Sequence, residues 1–175
     1  MDLGKQNILF FTRTMMLGGT ENVVLQLCEV FKPKVNKIVV CSCGGVNVEK
    51  LTEMGIRHYQ IPDISSKKDM FKICRTVKKI VEKEQITVIH SHHRMAAFYT
   101  EILFGSSIIK IANAHNTFFD KKLLTRFAYR NTKVIAVGKM VKKNLVDYFR
   151  IPEKQVSVIH NAVKPFDGDY IDCLL

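Results

Sequence analysis

Acidic residues are scarce in this chain, 16 Asp and Glu against 27 Lys and Arg. The resulting formal charge of +11 favours an anionic partner: nucleic acid, an acidic membrane leaflet or a phosphorylated substrate. A long apolar run is also missing. The most hydrophobic stretch, Met95 to Ala114, is broken by Glu101, by Gly105-Ser106-Ser107 and by Lys110, so it fails as a spanning helix. The opening Met-Asp-Leu-Gly-Lys-Gln has no apolar signal-peptide core, and a reducing cytoplasmic setting is expected. Five cysteines leave one unpaired in any internal disulfide scheme, and no Cys-x-x-Cys pair accompanies Cys41 and Cys43, which argues against both a disulfide framework and zinc. There is no repeat, low-complexity tract or internal linker. The Gly-x-Gly-x-x-Gly of dinucleotide folds and the Gly-Lys-Ser/Thr of a P-loop are both absent. No nucleic-acid module is recognisable, and the aromatics are not interleaved with the basic residues as stacking platforms would be.

What is present fits one soluble domain: 175 residues, 47% hydrophobic and 25% charged. Runs rich in Val and Ile alternate with segments of helical period, the pattern of βαβ units. Strands are predicted at Asn7 to Thr12, Lys37 to Cys43, His58 to Ile61, Thr87 to Ser91, Ile108 to Ala114, Lys133 to Val137 and Val156 to Ile159. Helices are predicted near Thr20 to Phe31, Val48 to Met54, Lys68 to Glu84, Met95 to Leu103, Leu123 to Arg130 and Lys139 to Phe149. The fold class is therefore α/β, a single Rossmann-like domain with a mostly parallel sheet of about seven strands and helices on both faces. After Val163 the composition shifts, so 1–163 reads as the domain and 164–175 as the start of a linker.

Open α/β sheets bind ligands beyond the carboxyl ends of their strands, and the chemistry-bearing residues fall there. The turn Leu17-Gly18-Gly19-Thr20-Glu21 opens a helix, with Thr20 available as N-cap, whose free N–H groups favour a phosphate or sugar oxygen. By alternation His90 and His92 share one strand face and His93 takes the other; His90 reads as a satisfied core histidine, with His92 and His93 at an exposed strand end. His115, followed by Asn116-Thr117, offers a neutral donor and acceptor at the same edge. The basic helix from Lys67 to Lys83 could lie on anionic lipid, or pack its apolar face on the sheet and solvate its charges. Lys121, Lys122, Arg126 and Arg130, beside Phe118 and Phe119, form a second basic group close to His115.

Taken in order, Gly18-Gly19-Thr20-Glu21, Val88-Ile89-His90-Ser91-His92, Ala114-His115-Asn116, Val134-Ile135-Ala136-Val137-Gly138-Lys139 and Val158-Ile159-His160-Asn161-Ala162-Val163 resemble the amino-terminal domain of family 4 retaining glycosyltransferases with the GT-B fold. The resemblance implies the acceptor-binding half of an enzyme that transfers a sugar from a nucleotide-sugar to a glycan or lipid-linked acceptor, in surface polysaccharide or glycolipid synthesis. It implies that Gly18, Gly19 and Thr20 approach the donor phosphates or sugar, and that His115 is the catalytic contact. His92, Asn116 and Arg94 would border the acceptor pocket. No metal and no cofactor beyond the nucleotide-sugar co-substrate is expected. The partners implied are the donor, the acceptor, a carboxyl-terminal donor-binding domain and an anionic membrane surface on the cytoplasmic side, without nucleic acid.

Gly138 departs from a common serine, Ala162 from a glycine and Lys164 from an aspartate. The paired glutamates with which the family's second domain grips the donor have no counterpart, so the polypeptide is expected to be inactive alone. An alternative is a short, non-catalytic module that recruits a donor-binding partner to the membrane, as in split glycosyltransferases.

Overall fold

A computed structural model describes residues 2–162, so the linker expected at 164–175 and Cys173 lie outside the described residues. Seven strands form one sheet: β1 (Asn7–Phe11), β2 (Lys37–Ser42), β3 (Arg57–Gln60), β4 (Val88–Ser91), β5 (Ile109–Ala114), β6 (Lys133–Ala136) and β7 (Val156–Val158). All neighbours pair in parallel, in the order β3-β2-β1-β4-β5-β6-β7. The helices between them are α1 (Gly19–Phe31), α2 (Val48–Glu53), α3 (Met70–Glu84), α4 (Arg94–Leu103), α5 (Lys122–Ala128) and α6 (Lys139–Lys143). α6 runs on into a π-helical turn over Asn144–Tyr148, so the last helix expected from the sequence changes its winding half-way.

Alternation along the strands divides the core. Ile8 and Phe10 of β1, with Ile38 and Val40 of β2, pack on Val24, Leu25 and Cys28 of α1 and on Leu51 of α2. Leu9, Phe11, Val39 and Ile89 point to the opposite face, where Ile73, Val77 and Ile80 of α3 and Tyr99 of α4 cover them. Further along that face, Ala112, Ala114, Val134 and Ala136 meet Ala128 of α5, Val141 of α6 and Leu145 of the π-helical turn. Small strand residues there let the helices lie close. The four described cysteines are free thiols, with Cys28 and Cys41 buried in these layers.

The basic helix resolves in favour of packing. Lys68, Lys72, Arg75, Lys78, Lys79 and Lys83 of this segment are exposed while Ile73, Val77, Ile80 and Val81 are buried, so its apolar stripe is spent on the sheet. Only Met70 and Phe71, at its amino end, leave large apolar side chains outside. Among the described residues no helix is long and apolar enough to cross a membrane.

The order of strands reverses at β1: the chain moves outward through β2 and β3, then returns to place β4 on the other side of β1. In open α/β sheets the crevice beyond the carboxyl ends at such a switch point is where ligands bind.

Candidate functional site

A cavity of about 280 Å³ opens at that switch point, walled by Thr12, Arg13, Thr14, Thr20, Glu21, His92, His93, Arg94, His115, Asn116 and Asn144 among others. Thr20, His92, Arg94, His115 and Asn116, far apart in the sequence, therefore meet in one place. Gly18 and Gly19 stand just outside the wall.

The amino end of α1 reaches the cavity in a way that corrects the expected cap. Gly18, not Thr20, is the capping residue, and it supplies no side-chain acceptor to the first turn. The N–H groups of that turn have no intrahelical partner and carry the positive end of the helix dipole. A Cβ on Gly18 would stand 2.5 Å from Oε2 of Glu21, whose carboxylate folds back to accept the hydroxyl of Thr14. Glycine at 18 thus makes room for Glu21. At Gly19 an added Cβ would meet nothing within 4 Å, so crowding does not account for that residue.

β4 delivers three histidines with three different environments. His90 is the satisfied core histidine, its Nε2 bonded to Oδ1 of Asn113 on the neighbouring strand at 2.9 Å. Burial holds it down at about 4. His92 is not at an exposed strand end: it is 2% exposed, and its ring lies 4.5 Å from that of His90 and 5.8 Å from Phe10. Its Nδ1 lies 3.3 Å from Nε2 of His115, while its own Nε2 is buried without a partner. Burial, then His90 and His115, push its pKa well below the usual range. His93 caps α4, its Nδ1 accepting the N–H of Met95 at 3.1 Å. Burial together with the charges of Arg13 and Arg94 lowers it to about 4.

His115 follows β5 and is half-buried; desolvation lowers its pKa, opposed by the carboxylate of Glu21. Asn116 is exposed at the mouth. Arg94, the first residue of α4, is already engaged: it lies 4.8 Å from the Phe118 ring, donates to Asp120 at 2.9 Å and to the Thr125 hydroxyl at 3.2 Å. Arg13 is held at 2.7 Å by Asp63 across the loop that follows β3. The cavity therefore offers neutral imidazoles, two guanidinium groups, a helix amino terminus and one carboxylate, a set suited to hydroxyls and anionic oxygens. Among the described residues no three His, Cys, Asp or Glu side chains are grouped to hold a metal.

Asn144, like Thr12, Arg13 and Thr14, is a wall residue that sequence reasoning missed. From the π-helical turn its amide clasps the backbone of Phe118, accepting from N–H at 3.1 Å and donating to the carbonyl at 2.9 Å. An asparagine inside an apolar helical period carries no sign of such a long-range role. Glu21 did carry one, since it belongs to the quoted turn motif.

The family model of Glycosyltransferase Family 4 matches residues 17–165, well over half of the chain. The chain belongs to Glycosyltransferase Family 4. It is 26% identical over 170 residues to a human subunit of phosphatidylinositol N-acetylglucosaminyltransferase, across 86% of this chain and 35% of that protein. The fold superposes on a glycosyltransferase from Rickettsia africae with a TM-score of 0.76 at 16% identity, covering 90% of this chain and 44% of that one. It also superposes on Anabaena Alr3699/HepE, solved in complex with UDP-glucose, with a TM-score of 0.73 at 14% identity and the same coverage. This family 4 chain thus spans about a third of its curated relative and under half of these solved structures, and its sheet is one Rossmann-like half of the GT-B fold.

Proposed function

We propose that the chain is the acceptor-side half of a retaining glycosyltransferase, moving a sugar from a nucleotide-sugar to a glycan or lipid-linked acceptor at the cytoplasmic face of an anionic membrane. The observation that carries this reading is the meeting of the α1 amino terminus, His115, His92, Asn116 and Arg94 in one cavity at the sheet's switch point. A helix amino terminus suits donor phosphate, and neutral imidazole suits a sugar hydroxyl. Gly18, Gly19 and Thr20 belong to the donor side, His115 to the reacting centre, and His92, Asn116 and Arg94 to the acceptor wall. The UDP-glucose held by the Anabaena protein supports a nucleotide-sugar donor, and the name of the human relative supports a lipid acceptor. The donor-binding domain would come from further polypeptide, and the half described here would not turn over alone. No metal or cofactor takes part in this reading.

The membrane part has its own support. The large apolar side chains Leu17, Phe71, Phe119, Leu123 and Met140, each 72% to 81% exposed, all lie on loops or helix starts at the carboxyl edge of the sheet. Exposed Lys67, Lys68, Lys72, Lys121, Lys122 and Lys139 stand among them. Apolar tips among lysines at the cavity mouth fit a leaflet of anionic headgroups.

The test is transfer of labelled sugar from UDP-sugars into lipid extract by the chain joined to a family 4 donor domain. His115→Ala should lower kcat/KM by roughly a hundredfold or more. Unchanged turnover in that variant would remove His115 from the reaction.

A further inference from the structure

We propose that His92 is a positioning residue: its Nδ1–H donates to Nε2 of His115, which fixes the His115 proton on Nδ1 and makes that histidine a hydrogen-bond donor to a ligand oxygen, not a base. Only the ligand part of this rests on the sugar-transfer reading.

The two rings share one contact, Nδ1 of His92 to Nε2 of His115 at 3.3 Å, and between neutral imidazoles one nitrogen must donate and the other accept. If His115 donated, the proton of His92 would sit on its Nε2, which is buried and has no acceptor. If His92 donates, the same Nε2 is left as a bare lone pair. Buried N–H groups without an acceptor are rarer than buried acceptors without a donor, so the second arrangement costs less. The flanking rings do not rescue the first. His90 and Phe10 are tilted at 39° and 56° to His92, and neither stands perpendicular to receive an N–H on its face. Nε2 of His115 is thereby used as an acceptor, and its proton falls on Nδ1. His115 makes no other hydrogen bond among the described residues and lines the cavity, so that N–H is available to a ligand. Two residues from His92, His90 adopts the opposite tautomer, giving Nε2–H to Oδ1 of Asn113, so the same strand holds a built-in reference.

Nitrogen NMR of the imidazole rings in the ¹⁵N-labelled chain tests this without any substrate. At neutral pH the expected pattern is Nε2–H for His90 and Nδ1–H for both His92 and His115, whereas free imidazole side chains favour Nε2–H. In His92→Asn the amide nitrogen can stand where Nδ1 stood, and His115 should keep its proton on Nδ1. In His92→Gln the amide reaches the position of Nε2 instead, and His115 should revert to Nε2–H. A His115 that carries Nε2–H in the unaltered chain overturns the proposal, as does one unchanged by His92→Gln. The unaltered spectrum decides even if a variant fails to fold. With the donor domain supplied, His115→Asn, a donor without basicity, should retain roughly tenfold more kcat/KM than His115→Ala. Equal loss in the two variants would overturn the donor role. Absence of transfer by every version, including the unaltered one, would instead sink the sugar-transfer reading and leave the tautomer standing.

Discussion

At the amino edge of the sheet the buried carboxylates are answered by cations, whereas at the carboxyl edge Arg13 and Arg94 pair with carboxylates 39% and 53% exposed and the buried Nε2 of His92 has no partner. Glu101, with a side chain 1% exposed, receives Lys110 at 2.8 Å, Arg130 at 2.9 Å and Asn131 at 2.7 Å. Glu84, similarly sequestered at the end of α3, receives Lys37 at 3.0 Å, Arg57 at 2.9 Å and the Tyr59 hydroxyl. Asn7 ties the end of α3 down through the carbonyls of Glu84 and Gln85. The contrast separates the polar residues that hold the fold from those left available to a ligand. Both edges are rich in ionisable groups, and each buries a polar atom without a partner among the described residues, Nε2 of His92 and Oγ1 of Thr132, so what distinguishes them is the depth at which their carboxylates are paired.

The sharpest way to break the comparison is to truncate one residue from each edge. Burial raises the Glu101 carboxyl, but the hydrogen bonds from Lys110, Arg130 and Asn131 outweigh it and the net shift is downward. Glu101→Ala would leave Lys110, 5% exposed, as an unpaired buried charge, and should cost about 3–5 kcal/mol in urea unfolding. His115→Ala, which removes a half-buried ring from the open edge, should cost about 1 kcal/mol. Comparable losses from the two would erase the distinction.

Acid titration should separate the histidines of the carboxyl edge from Glu84 of the amino edge by pH. His90, held at about 4 by burial against an ordinary 6.5, binds its proton more readily in the unfolded chain. Its contribution is complete above 6.5 and is lost as pH falls toward 4, on the order of 3 kcal/mol. His93 acts in the same window and the same direction. Glu84 has a folded-state pKa of about 2 against 4.5, lowered first through the Tyr59 hydroxyl and then through Lys37 and Arg57. Its contribution is present above 4.5 and vanishes as pH falls through about 2. Stability measured against pH should therefore fall in two limbs, histidines first. Replacing Glu84 with Gln should flatten only the lower limb; loss of the upper limb in that variant would contradict the assignment.

Much of this division is legible in the sequence, for reasons specific to each element. Apolar runs place six of the seven strands within one or two residues, because buried parallel strands are written as near-continuous apolar segments, while β3, Arg57-His58-Tyr59-Gln60, is a half-exposed edge strand without a Val or Ile of its own. The histidines fall at the right edge because a parallel sheet sends every strand's carboxyl end the same way. What escapes depends on contacts between distant segments. Nothing near residue 144 says that its amide will clasp Phe118, and nothing near Glu101 announces Lys110 or Arg130 as its partners. The polar sequence neighbours of His92 suggest an exposed strand end, while its neighbours in space are Phe10, His90 and His115. Threonine caps helices well, which points to Thr20, yet the helix begins one residue earlier, behind Gly18.

The smallest expected effect on stability belongs to the outermost residues of the carboxyl edge. Phe71 and Leu123 are 81% and 80% exposed, so changing both to Ser should move the unfolding free energy by less than about 0.5 kcal/mol each. If that edge meets a leaflet, the same change should weaken cosedimentation with phosphatidylglycerol vesicles roughly tenfold or more, since each side chain would lose its burial in the interface. Binding by the unaltered chain should fall with added salt and be weak on phosphatidylcholine alone, as attraction between lysines and anionic headgroups requires. Reversing Lys68 and Lys122 to Glu at this edge should weaken it too, and Lys5→Glu with Lys133→Glu, exposed at the amino edge, makes the same change in net charge and serves as the control. Equal loss of binding in that control would mean that overall basicity, not this face, drives the contact, and the membrane part of the proposed function would fail while the sugar-transfer part stood.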